Sequence, residues 1–200
     1  MKAISEKWPQ KEDSIFNMPT PPQNSCIYAD WNGYRHAYKQ AANILVSKCE
    51  EDSSLLDRLI YPIFFLYRHS IELHLKEIFH FGKILGYLNS RFPDNKHDLK
   101  ELWYKIKPAV LEVKRHSEAY ESEPITNEVI DNTYRLLKQI SDIDSRSTSF
   151  RYSIDRSGNR SLPEDLTRLC LSNLKACMDK ISYILGDIEY VLESEFQSRD

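Results

Sequence analysis

The sequence predicts an all-α protein, a bundle of about five helices with a short loop or hairpin insertion before the last helix. Apolar residues recur at three- and four-residue spacings along most of the chain, as they do on one face of a helix. Glycine is scarce, with 5 residues in 200 against 12 tyrosines and 8 phenylalanines, so the frequent tight turns of a β-sandwich or barrel are not expected. The composition, 41% hydrophobic and 28% charged, is typical of a single globular domain.

The chain is predicted to divide into an extended, proline-rich arm over residues 1–29 and one helical domain over residues 30–200. The arm has few periodic apolar positions, so it is not expected to form a core of its own. A first helix begins after Asp30, because one apolar face recurs through Tyr34, Tyr38, Ala41, Ala42 and Leu45.

The second helix is expected to be the buried centre of the bundle. Residues 52–54 (Asp-Ser-Ser) offer an N-cap for a helix that runs to about Phe81, with Pro62 inside it or kinking it. Between residues 61 and 75 this helix is apolar on nearly every side, and a helix of that kind lies within a core.

Three more elements complete the prediction. A third helix starts near His97 and runs to about Glu121, and a fourth opens at Thr126. Residues 141–163 are polar and rich in Ser and Arg, and their flanks could pair as a short hairpin around the turn signal D-R-S-G-N. The last helix is predicted to begin at Leu162, because Pro follows at the first turn and two acids come next.

Several function classes are disfavoured by composition and motif content. A net charge of −3 argues against coating nucleic acid non-specifically, although it leaves room for a local basic site. The longest apolar run, Leu59–Tyr67, is too short to cross a bilayer and the N-terminus has no apolar signal region, so we expect a cytoplasmic protein without a membrane partner. The four cysteines show no metal-ligand spacing, and no P-loop or dinucleotide motif occurs. We therefore expect free thiols, no metal and no cofactor.

Four polar residues interrupt the most apolar helix, and they need an explanation. Burying Arg68, His69, Glu72 and His74 without partners would cost a few kcal/mol for each charged group. Arg68 and Glu72 share one helix face, whereas His69 lies about 100° round from Arg68 and His74 about 120° round on the other side. A second copy of the helix, or a neighbouring segment, must complete any shared site.

A purely structural explanation also accounts for these residues, and spacing alone favours it. Arg68–Glu72 and Glu72–Lys76 are ordinary i,i+4 ion pairs, and the two histidines can be satisfied core residues. His97 is interpreted as a structural residue at a helix start rather than as a catalytic one.

Three sequence segments favour a functional explanation of these residues over a purely structural one. In R-H-S-I-E-L-H (residues 68–74) an arginine is followed at once by a polar residue and, after five intervening positions, by a histidine. K-H-D-L-K-E-L-W (residues 96–103) opens the next helix, and F-R-Y-S-I-D-R-S-G (residues 150–158) precedes the last one. This order resembles the HEPN superfamily, in particular the ribonucleases of bacterial defence and toxin–antitoxin systems.

The resemblance implies a metal-independent endoribonuclease in which two domains of a homodimer share a cleft. It implies His74 as general acid/base, Arg68 as phosphate clamp and His69 as a positioning or second proton-transfer group. Glu72, Arg151 and Tyr152 are expected to bind the substrate. The expected partners are RNA, a second copy of the chain and an antitoxin or defence-system protein. The alternative is an inactive HEPN domain that serves as an interaction or nucleotide-binding module.

The arginines of residues 145–160 suggest a second part of the site. Phe150 and Tyr152 are two positions apart, so in an extended strand they share one face while Arg151 points the other way. We therefore predict that Arg151 lies near Arg68 or His74, of its own subunit or of the partner's, and holds substrate phosphate. The alternative is a solvated connection with no such role.

Overall fold

The fold was taken from a computed structural model, which describes residues 30–116 and 125–199. These residues form five α-helices and no strand, which confirms the predicted all-α bundle: α1 Trp31–Glu51, α2 Leu56–Ile84, α3 Leu99–His116, α4 Asn127–Ile143 and α5 Leu171–Ser198. The predicted arm and the predicted end of the third helix at Glu121 lie outside the described residues. None of the described helices is long and apolar enough to span a membrane.

Helix starts follow from local capping chemistry. Asp30 accepts a hydrogen bond from the Gly33 amide at the start of α1, and Thr126 Oγ1 accepts one from the Val129 amide at 3.2 Å at the start of α4. Each bond satisfies an amide that has no partner within its helix. Asp52 caps only a short 3₁₀ turn, Ser53–Leu55, so α2 begins three residues later than its cap predicts.

Helix α2 lies at the centre and packs against α1, α3 and α5. Its core side chains are at most 2% exposed: Ile63, Phe64, Tyr67, Ile71, Leu75, Ile78 and Phe79. Pro62 lies within the helix, where it removes one backbone hydrogen bond without ending the helix. Gly82 permits a close approach to α3, because a Cβ at this position would lie 2.9 Å from the Cβ of Ala109.

The last helix begins at Leu171, so the predicted start at Leu162 is wrong. Leu162, Leu166 and Leu169 pack against the core, but the backbone between them is not helical. The Leu166 amide donates to the Pro163 carbonyl at 3.2 Å and the Thr167 amide to the Asp165 carbonyl at 2.9 Å. These are turn bonds, so the leucine spacing reflects burial of one side of an irregular segment.

The insertion, which we define as residues 144–170 between α4 and α5, contains a minimal hairpin. One antiparallel bridge joins Ile154 and Arg160, and the Asp155 carboxylate accepts from the amides of Ser157 at 2.8 Å and Asn159 at 2.9 Å. Gly158 has a φ of 83°, a value that a glycine adopts without strain. The hairpin is therefore held mainly by its turn.

The residues before this hairpin do not form the extended strand that was predicted. The amides of Arg151 and Tyr152 both donate to the Thr148 carbonyl at 3.0 Å, which closes a tight turn. As a result, Phe150 and Tyr152 point to opposite sides. Phe150 is 6% exposed and stacks on Phe64 of α2 with ring centroids 3.8 Å apart, whereas Tyr152 is 57% exposed.

Candidate functional site

Two separate clusters of charged side chains lie on opposite faces of α2. The first, which we call the Glu72 cluster, faces the start of α3 and the end of α4 and consists of Arg68, Glu72, Lys76, His97 and Asp144. The second, the His74 cluster, faces α1 and α5 and consists of Arg35, His74, Glu77 and Glu189. The wide angle between Arg68 and His74 on the helix is thus explained, because neighbouring helices complete a different cluster on each side.

Arg68 is fully buried, and its guanidinium is occupied by protein acceptors. Nη1 donates to Glu72 Oε2 at 2.9 Å, Nε to the Asp144 carbonyl at 2.9 Å and Nη2 to the His97 carbonyl at 2.6 Å. With 0% exposure, this arginine has no surface for a phosphate in this structure. It joins α2 to the starts of α3 and of the insertion, and so positions the residues around it.

Glu72 binds three other members of the Glu72 cluster, Arg68, Lys76 and His97. Its Oε1 accepts from Lys76 Nζ at 3.0 Å and from His97 Nδ1 at 2.8 Å. Burial alone would raise the pKa of this carboxyl, but the charge and hydrogen bond of Lys76, with contributions from His97 and Arg68, lower it. Glu72 is therefore an ionised, acceptor-only group.

His97 is the exposed end of this cluster. Its side chain is 51% exposed, while that of its partner Glu72 is 1% exposed. Because the ionised carboxylate can only accept, the neutral imidazole carries its proton on Nδ1 and has a lone pair on Nε2. In the described parts of the chain Nε2 has no hydrogen-bond partner. A carboxylate that fixes the tautomer of a half-exposed histidine is an arrangement suited to proton transfer.

Sequence reasoning did not find the contact of the His97 side chain with Glu72. The capping at the start of α3 comes from its neighbour, since Asp98 Oδ1 accepts from the Lys100 amide at 2.8 Å and from Ser141 Oγ at 2.8 Å. The contact with Glu72 spans 25 positions, which no helical periodicity reveals. The one available signal was the K-H-D-L-K-E-L-W segment.

His74 lies in the other cluster and is 3% exposed. Its Nε2 is 3.0 Å from Glu189 Oε2 and 3.2 Å from Arg35 Nη1. Burial lowers the pKa of His74 despite the opposing hydrogen bond from Glu189, so the ring is neutral at pH 7. The structure does not bring His74 together with Arg68.

A carboxyl pair completes the His74 cluster. Arg35 Nη2 donates to Glu189 Oε1 at 2.9 Å, and Arg35 Nε lies 2.8 Å from Glu77 Oε2, although the angle there is too bent for a hydrogen bond. Burial, together with the charge of Glu189, raises the pKa of Glu77 to about 7. This cluster joins α1, α2 and α5 and is almost sealed from solvent.

A cavity of about 1590 Å³ lies beside His97, between the start of α3, the end of α4 and the insertion. Its wall also carries five basic side chains, those of Lys96, Arg146, Arg151, Arg156 and Arg160. Much of the acidic charge on the same wall is already engaged. Glu101 pairs with Lys96 at 2.8 Å, and Asp142 pairs with Lys100 at 3.1 Å and Lys138 at 2.5 Å.

The arginines of the cavity wall are the groups left to meet a ligand. Within residues 30–116 and 125–199, Arg146, Arg156 and Arg160 form no ion pair closer than 4 Å. Arg151 donates only its Nε, to the Ser147 carbonyl at 2.6 Å. Unpaired guanidinium groups around a cavity are suited to holding phosphate, since each presents a planar fork of donors.

Arg151 and Tyr152 line this cavity, and His69 lies near them through Phe65 rather than with His74. The Arg151 guanidinium is 5.2 Å from the Phe65 ring centroid and 5.5 Å from that of Tyr152. His69 is half-buried and stacks on the other end of Phe65 at 5.6 Å. Burial lowers the pKa of His69, and the nearby Arg151 adds a small effect in the same direction. Arg151 was predicted to lie near Arg68 or His74, whereas the α2 side chain that it contacts is Phe65, one helical turn before His69.

Comparison with known proteins adds no assignment to this geometry. Neither the family models, the curated proteins nor the solved structures include a match to the chain. In the described part of the chain, no three His, Cys, Asp or Glu side chains are grouped so that they could hold a metal ion.

Proposed function

We propose that this chain is a metal-independent endoribonuclease of the HEPN type that acts in the cytoplasm, in a toxin–antitoxin or antiphage setting. The observation that carries the proposal is His97, half-exposed, fixed by the ionised Glu72 and placed on the wall of an arginine-lined cavity. The resemblance of three sequence segments to HEPN ribonucleases supports the same reaction class.

The chemistry follows from the side chains at the cavity. His97 Nε2 takes the proton of an RNA 2′-OH, and the 2′-oxygen then forms a bond to the adjacent phosphorus. The bond from phosphorus to the 5′-oxygen breaks, and that oxygen takes a proton from water, which leaves a 2′,3′-cyclic phosphate and a 5′-OH. The imidazolium of His97 then gives its proton to the hydroxide that remains, which restores the neutral base. Glu72 stabilises the imidazolium formed in the first step. Arg146 and Arg151 are placed to offset the negative charge that gathers on the phosphorane.

In this proposal the general base is His97 and not His74. Arg68 and Lys76 act as positioning residues, because both bind Glu72 and neither is exposed enough to reach a substrate. Each cluster is complete within one protomer. The proposed homodimer would therefore bring two cavities side by side rather than assemble Arg68 of one copy with His74 of the other.

Cleavage of a labelled RNA in EDTA tests the proposal. We expect cleavage by the wild type and a loss of about 100-fold or more in His97→Ala, the usual effect of removing a general base. His74→Gln should cleave normally. His80→Ala, which removes an exposed histidine from α2, the helix of His74, serves as the control and should also cleave normally. Equal rates for wild type and His97→Ala, or a strict need for added Mg²⁺, would overturn the proposal.

The burial of Arg68 and His74 favours one alternative, an inactive HEPN domain that binds RNA, a nucleotide or a protein without cutting. Both residues of the sequence signature are satisfied inside the protomer, as expected of residues that only hold the fold. Tight RNA binding without any cleavage in EDTA or Mg²⁺ would select this alternative.

A further inference from the structure

A row of flat side chains borders the arginine-lined cavity. It runs from the insertion across α2 to α1, and its members in order are Tyr152, Arg151, Phe65, His69 and Tyr38. Neighbouring members are 4.6 to 5.6 Å apart between ring centroids or guanidinium carbon. We call it the aromatic row.

The aromatic row is only partly covered, although it is built from side chains that usually fill a core. Tyr152 is 57% exposed, and Tyr61, one turn before Phe65 on α2, is 46% exposed. Phe65, His69 and Tyr38 are half-buried. The aromatic row therefore presents aromatic surface to solvent, most of it at Tyr152, with cations at one end.

Arg151 belongs to both the aromatic row and the cavity wall. Its position is fixed by the bond from Nε to the Ser147 carbonyl, and Phe65 and Tyr152 hold the guanidinium by cation–π contact. Among the residues that the structure describes, no acceptor binds its terminal nitrogens, Nη1 and Nη2, so both can bind a ligand. A phosphate held there lies next to the ring of Tyr152, whose centroid is 5.5 Å from the Arg151 guanidinium carbon.

We propose that the aromatic row is a base-stacking subsite, which takes an unpaired nucleobase of a single strand whose phosphate is bound by Arg151 in the adjacent cavity. This inference rests on the proposed function and adds a feature of the substrate, that at least one base must be splayed out of any duplex. Stacking on aromatic side chains is tolerant of base identity, because every base has a flat π-face. The positive charge at the end of the aromatic row favours a nucleic acid strand over an uncharged apolar ligand.

The test compares binding of three uncleavable probes, 2′-O-methyl RNA oligomers of about 12 nucleotides, by fluorescence anisotropy. One is single-stranded, one has abasic positions at its centre, and one is a duplex of the first sequence. The wild type should bind the intact strand about tenfold more tightly than either other probe, the effect of roughly one stacked base. Tyr152→Ala and Phe65→Leu should bind the intact and abasic strands equally. Tyr190→Ala, which removes a tyrosine of similar exposure, 53%, should keep the tenfold preference.

The outcomes separate this inference from the proposed function. Equal wild-type affinity for intact and abasic strands would overturn the subsite and leave the phosphate-binding cavity intact. A tenfold preference that persists in both variants would also overturn it. If Phe65→Leu converts a dimer to a monomer in sedimentation while the preference persists, the aromatic row is an interface between copies. Failure to bind any probe would overturn both proposals.

Discussion

The two charged clusters of α2 each contain an arginine, a histidine and a glutamate, but they differ in their exposure to solvent. In the His74 cluster every member is within 10% of full burial of its side chain. In the Glu72 cluster, burial is complete at Arg68 and falls to half exposure at His97. A sealed cluster can only hold helices together, whereas a cluster that reaches a cavity can also act on a ligand.

The difference also lies in the charge that each cluster holds. Glu72 is surrounded by cations, and its pKa is lowered although burial opposes this. Glu77 shares one arginine with Glu189, and its pKa is raised to about 7. The first cluster therefore keeps an ionised carboxylate next to its histidine, whereas the second contains a carboxyl group, that of Glu77, which is protonated below about pH 7.

The largest expected effect is on stability, from Arg68→Ala. This change leaves the buried carboxylates of Glu72 and Asp144 without a cation that both approach, and it removes the link to the His97 carbonyl. Removal of one partner of a buried ion pair typically costs about 3–5 kcal/mol. Urea unfolding monitored by circular dichroism measures the loss. Arg58→Ala, an exposed arginine at the start of the same helix, serves as the control and should change stability by less than about 0.5 kcal/mol.

Arg68→Ala also tests whether the Glu72 cluster stabilises the fold. If its cost is no larger than that of Arg58→Ala, the Glu72 cluster does not support the fold in the way that its burial indicates. A variant that fails to fold at all agrees with the prediction. In that case Arg68→Lys, which keeps the charge but loses the planar fork, should show an intermediate loss.

The sequence was sufficient for the parts of the fold that depend on local pattern. The all-round apolar stretch placed α2 at the centre, and the i,i+4 spacing correctly implied the pairs Arg68–Glu72 and Glu72–Lys76. The predicted start of the last helix was wrong, because three partly buried leucines in an irregular segment mimic helical spacing. Local pattern thus predicts which groups are buried better than the backbone conformation that buries them.

The candidate site could be predicted only in part, because its deciding contacts are tertiary. His97 meets Glu72 across 25 positions, and His74 meets Glu189 across 115. Arg68 and His74 lie on the same helix, six positions apart. They belong to different clusters because α1 and α5 pack on one side of α2 and the start of α3 on the other. The basic character of the insertion was visible in the sequence, but its contact with Phe65 was not.

A smaller effect on stability is expected from the protonation of Glu77 in the His74 cluster. The pKa of Glu77 is raised in the folded protein to about 7 from about 4.3 in an unfolded chain. Between these values the folded state binds a proton that the unfolded state releases, so the stability from this group is present at low pH and is lost as pH rises toward 7. The expected swing is about 1–3 kcal/mol.

Glu77→Gln isolates this contribution, because it cannot titrate. The unfolding free energy of the wild type minus that of the variant, measured in urea at pH 5 and at pH 8, should be smaller at pH 8. His74 acts in the opposite sense below pH 6.5, since its lowered pKa favours proton uptake by the unfolded chain, but it is present in both proteins. A difference that is constant with pH would show that Glu77 is ionised throughout this range.

The smallest effect on stability is expected from His97→Ala, at the exposed end of the Glu72 cluster. The imidazole is half-exposed, and Glu72 keeps Arg68 and Lys76 as partners when it is removed. A contact of this kind contributes at most about 1 kcal/mol, which urea unfolding beside the wild type will resolve. This variant best separates a catalytic role from a structural one, because it should reduce RNA cleavage most and the free energy of unfolding least. A loss of stability as large as that of Arg68→Ala would mean that His97 mainly supports the fold. That result would contradict its proposed role as the general base.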